Sequence, residues 1–278
     1  MLLSVVIITF NEEANIGRLL VSVQPLVADG KGEIIIVDSG SSDRTVAIAR
    51  SYGAKVFVEE WRGYAAQKNS AIDKATGDWI LSLDADEEVD TELLHELLGD
   101  RKPVSDSATA GYQWCLALGG RGAGRQGAGD GFFIPRKNYF MGRWIKHGGF
   151  WPDPKLRLFR RQGGKFEDRA VHEDAHIEGR TEVIPGGALI HHSYPTLSDY
   201  IEHMNRYSSL GAQMAVAKGR VGFRVLDIVV RPWLTFFYNY FLRLGFLDGR
   251  EGLLLHLYHA VYVSWKYAKA WELSRSQK

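Results

Sequence analysis

Residues 79–87 read Trp79-Ile80-Leu81-Ser82-Leu83-Asp84-Ala85-Asp86-Glu87, an apolar run that ends in two carboxylates two positions apart. Such a run predicts a buried strand, which in a parallel sheet would carry Asp84 and Asp86 to the carboxyl edge where ligands bind. Two close carboxylates repel each other unless a cation lies between them. Because hard oxygen ligands suit Mg²⁺ and Mn²⁺, the run predicts a metal–diphosphate site. The alternative is a solvated acidic turn that caps a helix starting at Asp90-Thr91.

The first hundred residues alternate strand-like and helix-like segments around this run. We predict strands over Leu3–Thr9, Glu33–Val37, Ala54–Val58 and Asp78–Leu83. This order predicts an α/β fold with a mostly parallel, Rossmann-like, doubly wound sheet. Asn11, Asp38 and the pair Asp84/Asp86 each follow a different strand, so we expect them at one edge.

The helices between these strands are predicted from residues that favour helix ends. Asn11 is expected to cap the first helix, with Glu12 and Glu13 in its first turn. A second helix is expected to begin at Ser42-Asp43 and to end at Gly53. A third is expected to run from about Tyr64 to a stop at Gly77.

The composition narrows the class of protein. The 278 residues carry a net charge of +1, so nothing suggests nucleic acid as a partner. The single cysteine, Cys115, excludes an internal disulfide, fits a reducing compartment and is expected to be buried packing. Residues 1–10 are interpreted as a core strand, because no basic n-region or cleavage site marks a signal peptide. No stretch reaches the roughly 18 uninterrupted apolar residues of a membrane-spanning helix.

The chain is predicted to divide into two regions near residue 195. Residues 1–195 are expected to form one α/β domain, with 1–100 as the half that carries the predicted metal–diphosphate site and 101–195 as a second half of mixed strands and loops. Short strands are predicted in the second half over Tyr112–Leu118, Leu156–Arg160 and Val183–His191. Arg157 and Arg160 lie on opposite faces of such a strand, so only one is expected at a ligand.

Residues 196–278 are predicted to be a helical, aromatic-rich extension of two segments separated by Gly245 and Gly249. The first carries Phe223, Leu226, Val230, Trp233, Phe237, Tyr240, Phe241 and Leu244, and the second Leu254, Leu257, Tyr258, Val261, Tyr262 and Trp265. Arg220, Arg224 and Arg231 fall on one narrow stripe. This pattern favours an in-plane membrane contact. The alternatives are packing on the protein's own core and a face for oligomerisation.

Three residues near the expected edge suit a sugar nucleotide. Phe10 is a candidate for stacking on the base, and Asp38 for accepting the uracil N3–H. Lys68 is a candidate for neutralising phosphate charge. Each also has an ordinary interpretation: Phe10 as packing, Asp38 as a turn or cap carboxylate, and Lys68 as a solvated lysine.

Four segments in this order resemble the glycosyltransferase family 2 pattern on the GT-A fold. They read SVVIITFNEE at 4–13, VDSGSSDRT at 37–45, QKNSA at 67–71 and LDADE at 83–87. The resemblance implies an inverting transfer from a nucleotide sugar, usually UDP-linked, with a divalent Mn²⁺ or Mg²⁺. It assigns uracil binding to Asp38, the ribose or metal side to Asp84, and direct metal ligation to Asp86. The other implied donor-site residues are Thr9, Phe10, Asn11, Glu12, Ser39, Lys68 and Ala85.

Later segments resemble the subgroup that holds lipopolysaccharide inner-core β-glucosyltransferases. They are LRLFRR at 156–161, VHE at 171–173 and YFLRLGFLDG at 240–249. An inverting transfer needs a base on the acceptor hydroxyl, and Glu173 matches the position where the family supplies it. Asp174 and Asp168 are the rivals. His172 is a candidate to orient the base or approach the metal, and otherwise a structural hydrogen-bonding residue.

Two further patterns are set aside. Residues 122–127 fit GxGxxG, but no helix pattern follows, so a mobile loop that covers the acceptor site is the better interpretation. His191 and His192 are adjacent, so in a strand they face opposite sides and cannot easily share a metal.

The sequence thus predicts an inverting, metal-dependent glycosyltransferase that moves a hexose from a UDP-sugar to a glycan or lipid-linked acceptor. The enzyme is expected to lie at the cytoplasmic face of the inner membrane and to attach to the membrane surface. The first alternative is a nucleotidyltransferase on a similar fold, which the lack of a Gly-rich basic loop after strand one disfavours. The second is a non-catalytic nucleotide-binding scaffold, which would be expected to lose Asp86 or the base.

Overall fold

The four predicted N-terminal strands lie side by side in the computed structural model, which describes residues 2–99, 129–167, 174–219 and 222–276. They are β1 (Leu3–Thr9), β2 (Gly32–Asp38), β3 (Lys55–Val58) and β4 (Trp79–Asp84). All four are parallel, in the spatial order β4-β1-β2-β3. The predicted parallel α/β sheet is confirmed.

Three later strands extend this sheet beyond β4. They are β6 (Gly131–Ile134), β9 (Lys155–Arg160) and β12 (Thr181–Val183). The full order is β12-β6-β9-β4-β1-β2-β3, and β9 runs antiparallel to both of its neighbours. The sheet is therefore mixed at one side and parallel where the predicted site lies.

Helices cover both faces of the sheet. They are α1 (Ile16–Val27), α2 (Thr45–Ser51), α3 (Tyr64–Lys74) and α4 (Thr91–Leu98). Apolar residues of α1 and α4 pack with one face of β1, and those of α3 pack with the other. Asp90 caps α4, because its Oδ1 accepts the Leu93 N–H at 2.7 Å. This arrangement is the predicted doubly wound one.

Three predicted element boundaries are wrong. Asn11 does not cap α1, which begins at Ile16. Gly77 does not end α3, which stops at Lys74. A Cβ at Gly77 would lie 2.6 Å from the Leu2 carbonyl oxygen, so this glycine permits a close approach to β1. The strand predicted over Val183–His191 is two strands, β12 and β13 (Leu189–Tyr194), because the turn at Pro185-Gly186-Gly187 interrupts it. The strand predicted over Tyr112–Leu118 lies outside the described residues.

The remaining strands are short. They are β5 (Glu87–Val89), β7 (Arg136–Phe140), β8 (Arg143–Trp144), β10 (Lys165–Glu167) and β11 (Asp174–His176). The start of β13 pairs antiparallel with β5, and β10 pairs antiparallel with β11.

The chain forms two compact units. The first comprises the described residues within 1–136 and 154–191, and the second those within 137–153 and 192–278. The second unit contains α5 (Leu197–Ala217), α6 (Arg231–Phe237) and α7 (Gly249–Ser276). Its core forms around Phe140, Ile145, Tyr200 and Leu255. No helix in the described ranges is long and apolar enough to cross a membrane.

The segment around Gly245 and Gly249 separates the two C-terminal helical segments, as predicted. It forms a short 3₁₀ helix, Gly245–Asp248, which holds the loop of Lys146 and His147 in the same unit. Asp248 is buried, and its carboxylate accepts the backbone N–H groups of Lys146 and His147 at 3.2 and 2.8 Å. Gly245 packs so closely on His256 that a Cβ would overlap the imidazole ring. The Leu244–Gly249 sequence is therefore structural in this unit.

Helical turns of π type extend α6 at both ends, over Leu226–Val230 and Tyr238–Leu242. We call the continuous helical segment from Leu226 to Leu242 the 226–242 helix. Large apolar residues in and around it are exposed at Phe223, Val225, Leu226, Val229, Val230, Trp233, Leu234, Phe237, Tyr238, Phe241, Leu242, Leu244, Phe246 and Leu247. They form the largest group of exposed apolar side chains in the described part of the chain.

Candidate active site

The order of the parallel strands reverses at β1, because β2 and β3 lie on one side of it and β4 on the other. Such a reversal opens a crevice at the carboxyl ends of the strands. Thr9 ends β1, Asp38 ends β2 and Asp84 ends β4. In the sheet register, Thr9 lies opposite Asp38 and Ile8 opposite Asp84. The predicted donor-site residues therefore meet at one edge.

Asp38 is fully buried and holds together the loops that follow β1 and β2. Its Oδ1 accepts the backbone N–H groups of Gly40 and Ser41 at 3.0 and 2.8 Å. Its Oδ2 accepts the hydroxyl groups of Thr9 and Ser41 at 2.7 and 2.6 Å. A carboxylate has about four lone-pair positions, and here each has a donor. Recognition of a uracil N3–H by Asp38 therefore requires one of these donors to leave.

The loop after β1 presents an aromatic ring. Phe10 is 58% exposed, so a ring face is accessible to a stacking base. The next residue, Asn11, has φ 54°, and its Oδ1 accepts the Ser42 N–H at 2.9 Å. Its own N–H donates to Ser41 Oγ at 2.8 Å. Asn11 therefore fixes the loop that carries Phe10, which explains why it does not cap α1.

Glu12 lies close to the acidic end of β4. Its backbone N–H donates to Thr45 Oγ1 at 2.7 Å. Burial raises the pKa of the Glu12 carboxyl, and the negative charges of Asp86 and Asp84 raise it further, although a hydrogen bond from Asn15 opposes them. A carboxylate cluster of this kind attracts positive charge.

Helix α3 brings a buried cation to the end of β4. Lys68 is only 4% exposed, and its Nζ lies 2.9 Å from Asp84 Oδ1. The same ammonium lies 5.1 Å from the ring centroid of Phe166. One residue earlier, Gln67 Nε2 donates to Ser39 Oγ at 3.1 Å and links α3 to the loop after β2. The solvated-lysine interpretation of Lys68 is wrong.

Asp84 is neutralised from two sides. Lys68 pairs with its Oδ1, and Arg157 of β9 makes a short ion pair with its Oδ2. Burial alone would raise the pKa of Asp84, but the positive charges of Arg157 and Lys68 outweigh it and hold that pKa well below its usual range. Arg160 lies on the other side of the strand, is partly exposed and pairs with Asp130 at 3.3 Å. As predicted, only one of the two arginines reaches the site.

Glu87 and Arg136 belong to the same charge network, and neither residue has a role predicted from the sequence. Glu87 is fully buried, and its Oε1 lies 2.7 Å from an Arg157 nitrogen and 3.3 Å from an Arg136 nitrogen. Its Oε2 accepts the Asp84 N–H at 3.0 Å. The signal for Glu87 was its place directly after the Asp-Ala-Asp motif, where buried Ala85 completes the turn.

Asp86 has a different partner. His191 Nε2 lies 3.3 Å from Asp86 Oδ2, because β13 pairs with β5 and sets His191 opposite Glu87. Burial alone would raise the pKa of Asp86, but the His191 contact outweighs it and lowers that pKa. Nothing in the sequence indicated that His191 would pair with Asp86, although the two histidines do have different partners, as expected for adjacent residues of a strand. His192 indeed has other surroundings, with its ring 5.7 Å from that of Tyr139, but a single histidine suffices to reach Asp86.

The side-chain oxygen of Asp86 and the ring nitrogen of His191 suit a metal site in which the substrate supplies the remaining ligands. No group of three or more His, Cys, Asp or Glu side chains that could hold a metal occurs among the described residues. Mg²⁺ and Mn²⁺ are commonly held by one or two protein carboxylates, with substrate phosphates and water completing the shell. A carboxylate oxygen beside an imidazole nitrogen fits that pattern and favours Mn²⁺ over Mg²⁺.

The predicted base lies outside the described residues, together with its neighbours. Asp168, His172 and Glu173 are in the 168–173 segment, and the loop predicted at 122–127 and Cys115 are in the 100–128 segment. Asp174 begins β11, which pairs with β10.

Comparisons with known proteins agree with this architecture. A family model for glycosyl transferase family 2 matches residues 4–112. The lipopolysaccharide core biosynthesis glycosyltransferase LpsC of Rhizobium meliloti (strain 1021) is 30% identical over 276 residues, which cover 97% of this chain and 92% of LpsC. An uncharacterised glycosyltransferase of Rickettsia typhi is 30% identical over 98% of this chain and 87% of its own length. The chain belongs to glycosyltransferase family 2, as its motifs indicated.

The fold has a solved counterpart. The mannosyltransferase PcManGT of Pyrobaculum calidifontis, in complex with GDP-Man and Mn²⁺, matches with a TM-score of 0.52 and 19% identity. The match covers 99% of this chain and 86% of that enzyme. The predicted GT-A type of α/β fold, with its helical C-terminal region, is confirmed.

Proposed function

We propose that this family 2 glycosyltransferase is an inverting, metal-dependent hexosyltransferase that uses a UDP-sugar. Its proposed acceptor is a glycan or lipid-linked saccharide of lipopolysaccharide or another cell-envelope polysaccharide. The observation that supports the proposal most directly is the Asp86–His191 pair beside the Lys68–Asp84–Arg157 cluster. Sugar transfer leaves charge on a diphosphate, and both the carboxylate of Asp86, the proposed metal ligand, and buried cations lie at the edge where the diphosphate would sit. The similarity to LpsC supports the acceptor class.

In this proposal the donor lies along the carboxyl edge of β1, β2 and β4. Phe10 stacks on the uracil ring, and Asp38 accepts its N3–H in exchange for one of its present donors. Thr9, Asn11, Glu12, Ser39 and Ala85 shape the loops around the nucleotide. Asp84 faces the ribose and holds Lys68 and Arg157 in place. The Nε–H of Arg157 is buried without a hydrogen-bond partner among the described residues, which gives a phosphate oxygen a donor to meet.

We assign metal ligation to Asp86 and His191 rather than to Asp84, because Lys68 and Arg157 already occupy both oxygens of Asp84. When bound, Mn²⁺ or Mg²⁺ would supply positive charge that offsets the charge on the departing UDP. His172 stays a possible further ligand from the sequence.

The proposed function is tested first by calorimetric titration of the protein with UDP, with and without Mn²⁺. We expect binding that strengthens by at least about tenfold with Mn²⁺, since the diphosphate would complete the metal shell. A panel of UDP-glucose, UDP-galactose, UDP-N-acetylglucosamine and GDP-mannose then identifies the donor. Preference for GDP-mannose would contradict the uridine assignment. Pyrophosphate exchange with UTP would point to a nucleotidyltransferase, and binding without any transfer to a scaffold.

Glu173 is the proposed base, and its test needs donor binding and transfer to be measured together. Glu173→Gln keeps the size of the side chain but cannot take the acceptor proton, so we expect transfer to fall by about 10²-fold or more. UDP binding should be unchanged. Glu178→Gln is the matched control, because Glu178 is exposed a few residues further along. Transfer that survives in Glu173→Gln would move the assignment to Asp174 or Asp168.

We further propose that different regions of the chain have different roles. Residues 1–195 would carry the transfer chemistry, with 1–100 holding the donor and 101–195 facing the acceptor. Residues 196–278 would attach the enzyme to the cytoplasmic face of the inner membrane, where a lipid-linked acceptor is found.

A further inference from the structure

The 226–242 helix exposes two parallel rows of large apolar side chains. Trp233, Phe237 and Phe241 form one row, and Leu234, Tyr238 and Leu242 form the other, each with a spacing of four residues. Trp233 is 62% exposed and Leu242 64% exposed. Within the first row, the Trp233 and Phe237 rings stack with centroids 5.7 Å apart. An exposed apolar surface of this breadth marks a site of contact with a partner or a membrane.

The opposite side of the helix is fixed to the second unit. Ser264 of α7 donates its hydroxyl hydrogen to the Ile228 carbonyl oxygen at 2.8 Å. Arg231 donates to the Tyr267 hydroxyl at 2.7 Å. The helix therefore has a defined inner side that packs on α7, and the two apolar rows are its outer side.

The exposed charges around these rows are positive. Arg224 and Arg243 are exposed, and the segment from Gly222 to Leu247 contains a single acidic residue, Asp227. The Asp227 side chain is only 15% exposed and lies 3.1 Å from Arg231. A surface with a cationic border suits a partner that is apolar within and anionic at its edge.

We infer that the 226–242 helix docks in the plane of an anionic lipid bilayer. Aromatic and aliphatic side chains would enter the boundary between headgroups and acyl chains, and Arg224 and Arg243 would meet anionic headgroups. The 17-residue helix is about 25 Å long at 1.5 Å per residue. A second copy of the chain fits less well, since a two-fold contact through this surface would bring the same arginines together. This inference deepens the proposed membrane attachment of residues 196–278, and it does not rest on the sugar-transfer proposal.

Vesicle flotation of the full chain tests the inference. Vesicles of phosphatidylethanolamine and phosphatidylglycerol are compared with vesicles of phosphatidylcholine alone, at low and high salt. We expect binding to the anionic vesicles that weakens with salt. The double variant W233E/L242E should lower the bound fraction by about tenfold or more, because it places two carboxylates in the apolar rows. The matched control is V21E, which changes a 58% exposed valine of α1 and should bind as the wild type does.

The outcomes separate membrane docking from the alternatives. Both variants replace exposed side chains, so circular dichroism and UDP binding should match the wild type and show that the donor site is intact. The inference would be overturned if the wild-type protein bound neither kind of vesicle. It would also be overturned if W233E/L242E floated with the anionic vesicles as well as the wild type does. A wild-type dimer in analytical ultracentrifugation that W233E/L242E converts to monomer without any loss of vesicle binding would overturn it as well.

Discussion

Asp86→Asn is expected to lower kcat/KM for sugar transfer by about 10³-fold, equivalent to about 4 kcal/mol of transition-state stabilisation. The amide has nearly the shape of the carboxylate, but it loses the negative charge that both His191 and a divalent cation would meet. Mn²⁺-dependent UDP binding should disappear, because the proposed metal shell has few protein ligands to lose. The Asp86 side chain is partly exposed, so the fold should survive the change.

Transfer kinetics and calorimetry with UDP and Mn²⁺ measure this effect together. Asp73→Asn is the matched control, since Asp73 is an exposed aspartate of α3 and should behave as the wild type. If Asp86→Asn retained Mn²⁺-dependent UDP binding, the metal assignment would move away from Asp86. If it lost transfer but bound UDP and Mn²⁺ normally, Asp86 would act on the sugar rather than on the metal.

Arg157→Met is expected to lower the free energy of unfolding by about 3–5 kcal/mol. Arg157 is only 5% exposed, and it pairs with both Asp84 and Glu87. Methionine fills similar space but leaves those two carboxylates with Lys68 and Arg136 alone. Removing one partner of a buried network strands uncompensated charge, which costs more than the pair itself contributes. Urea unfolding followed by circular dichroism measures the loss.

Arg160→Met is the control on the same strand. Arg160 is partly exposed and pairs with Asp130, so its removal should cost less than about 1 kcal/mol. Similar losses for the two variants would mean that the buried network adds little to stability. A smaller loss for Arg157→Met at low pH would support the charge explanation, because Arg157 holds the pKa of Asp84 below its usual range, and Asp84 needs no cation once it is protonated.

The parallel sheet could be predicted because its strands are continuous apolar runs, which only a sheet buried on both faces requires. The same logic placed Thr9, Asp38 and Asp84 at one edge, since strand direction fixes which end opens into the crevice. The predicted helix ends were less successful. Asn11 and Gly77 are residue types that often cap and end helices, but here each makes a tertiary contact instead. Asn11 accepts a hydrogen bond from Ser42, and Gly77 packs closely against β1.

The partners of the two motif aspartates were beyond sequence reasoning. Asp84 meets Arg157 from 73 residues away, and Asp86 meets His191 from a strand interpreted as part of a longer one. Such contacts depend on how β9 and β13 are placed, and local patterns carry no information on that placement. The sequence also could not predict that the apolar residues of the 226–242 helix are exposed, because a helical pattern does not say which face a neighbour covers.

Four donors around one buried carboxylate make position 38 a poor reporter of ligand contact. An alanine there would release the hydroxyls of Thr9 and Ser41 and two backbone N–H groups at once. The loops after β1 and β2 would lose their common anchor, and Phe10 would lose its setting. An inactive allele at Asp38 would thus be explained by a misshapen loop whether or not the carboxylate ever touches a nucleobase. Natural variants at this codon should be judged by protein abundance before they are judged by donor affinity.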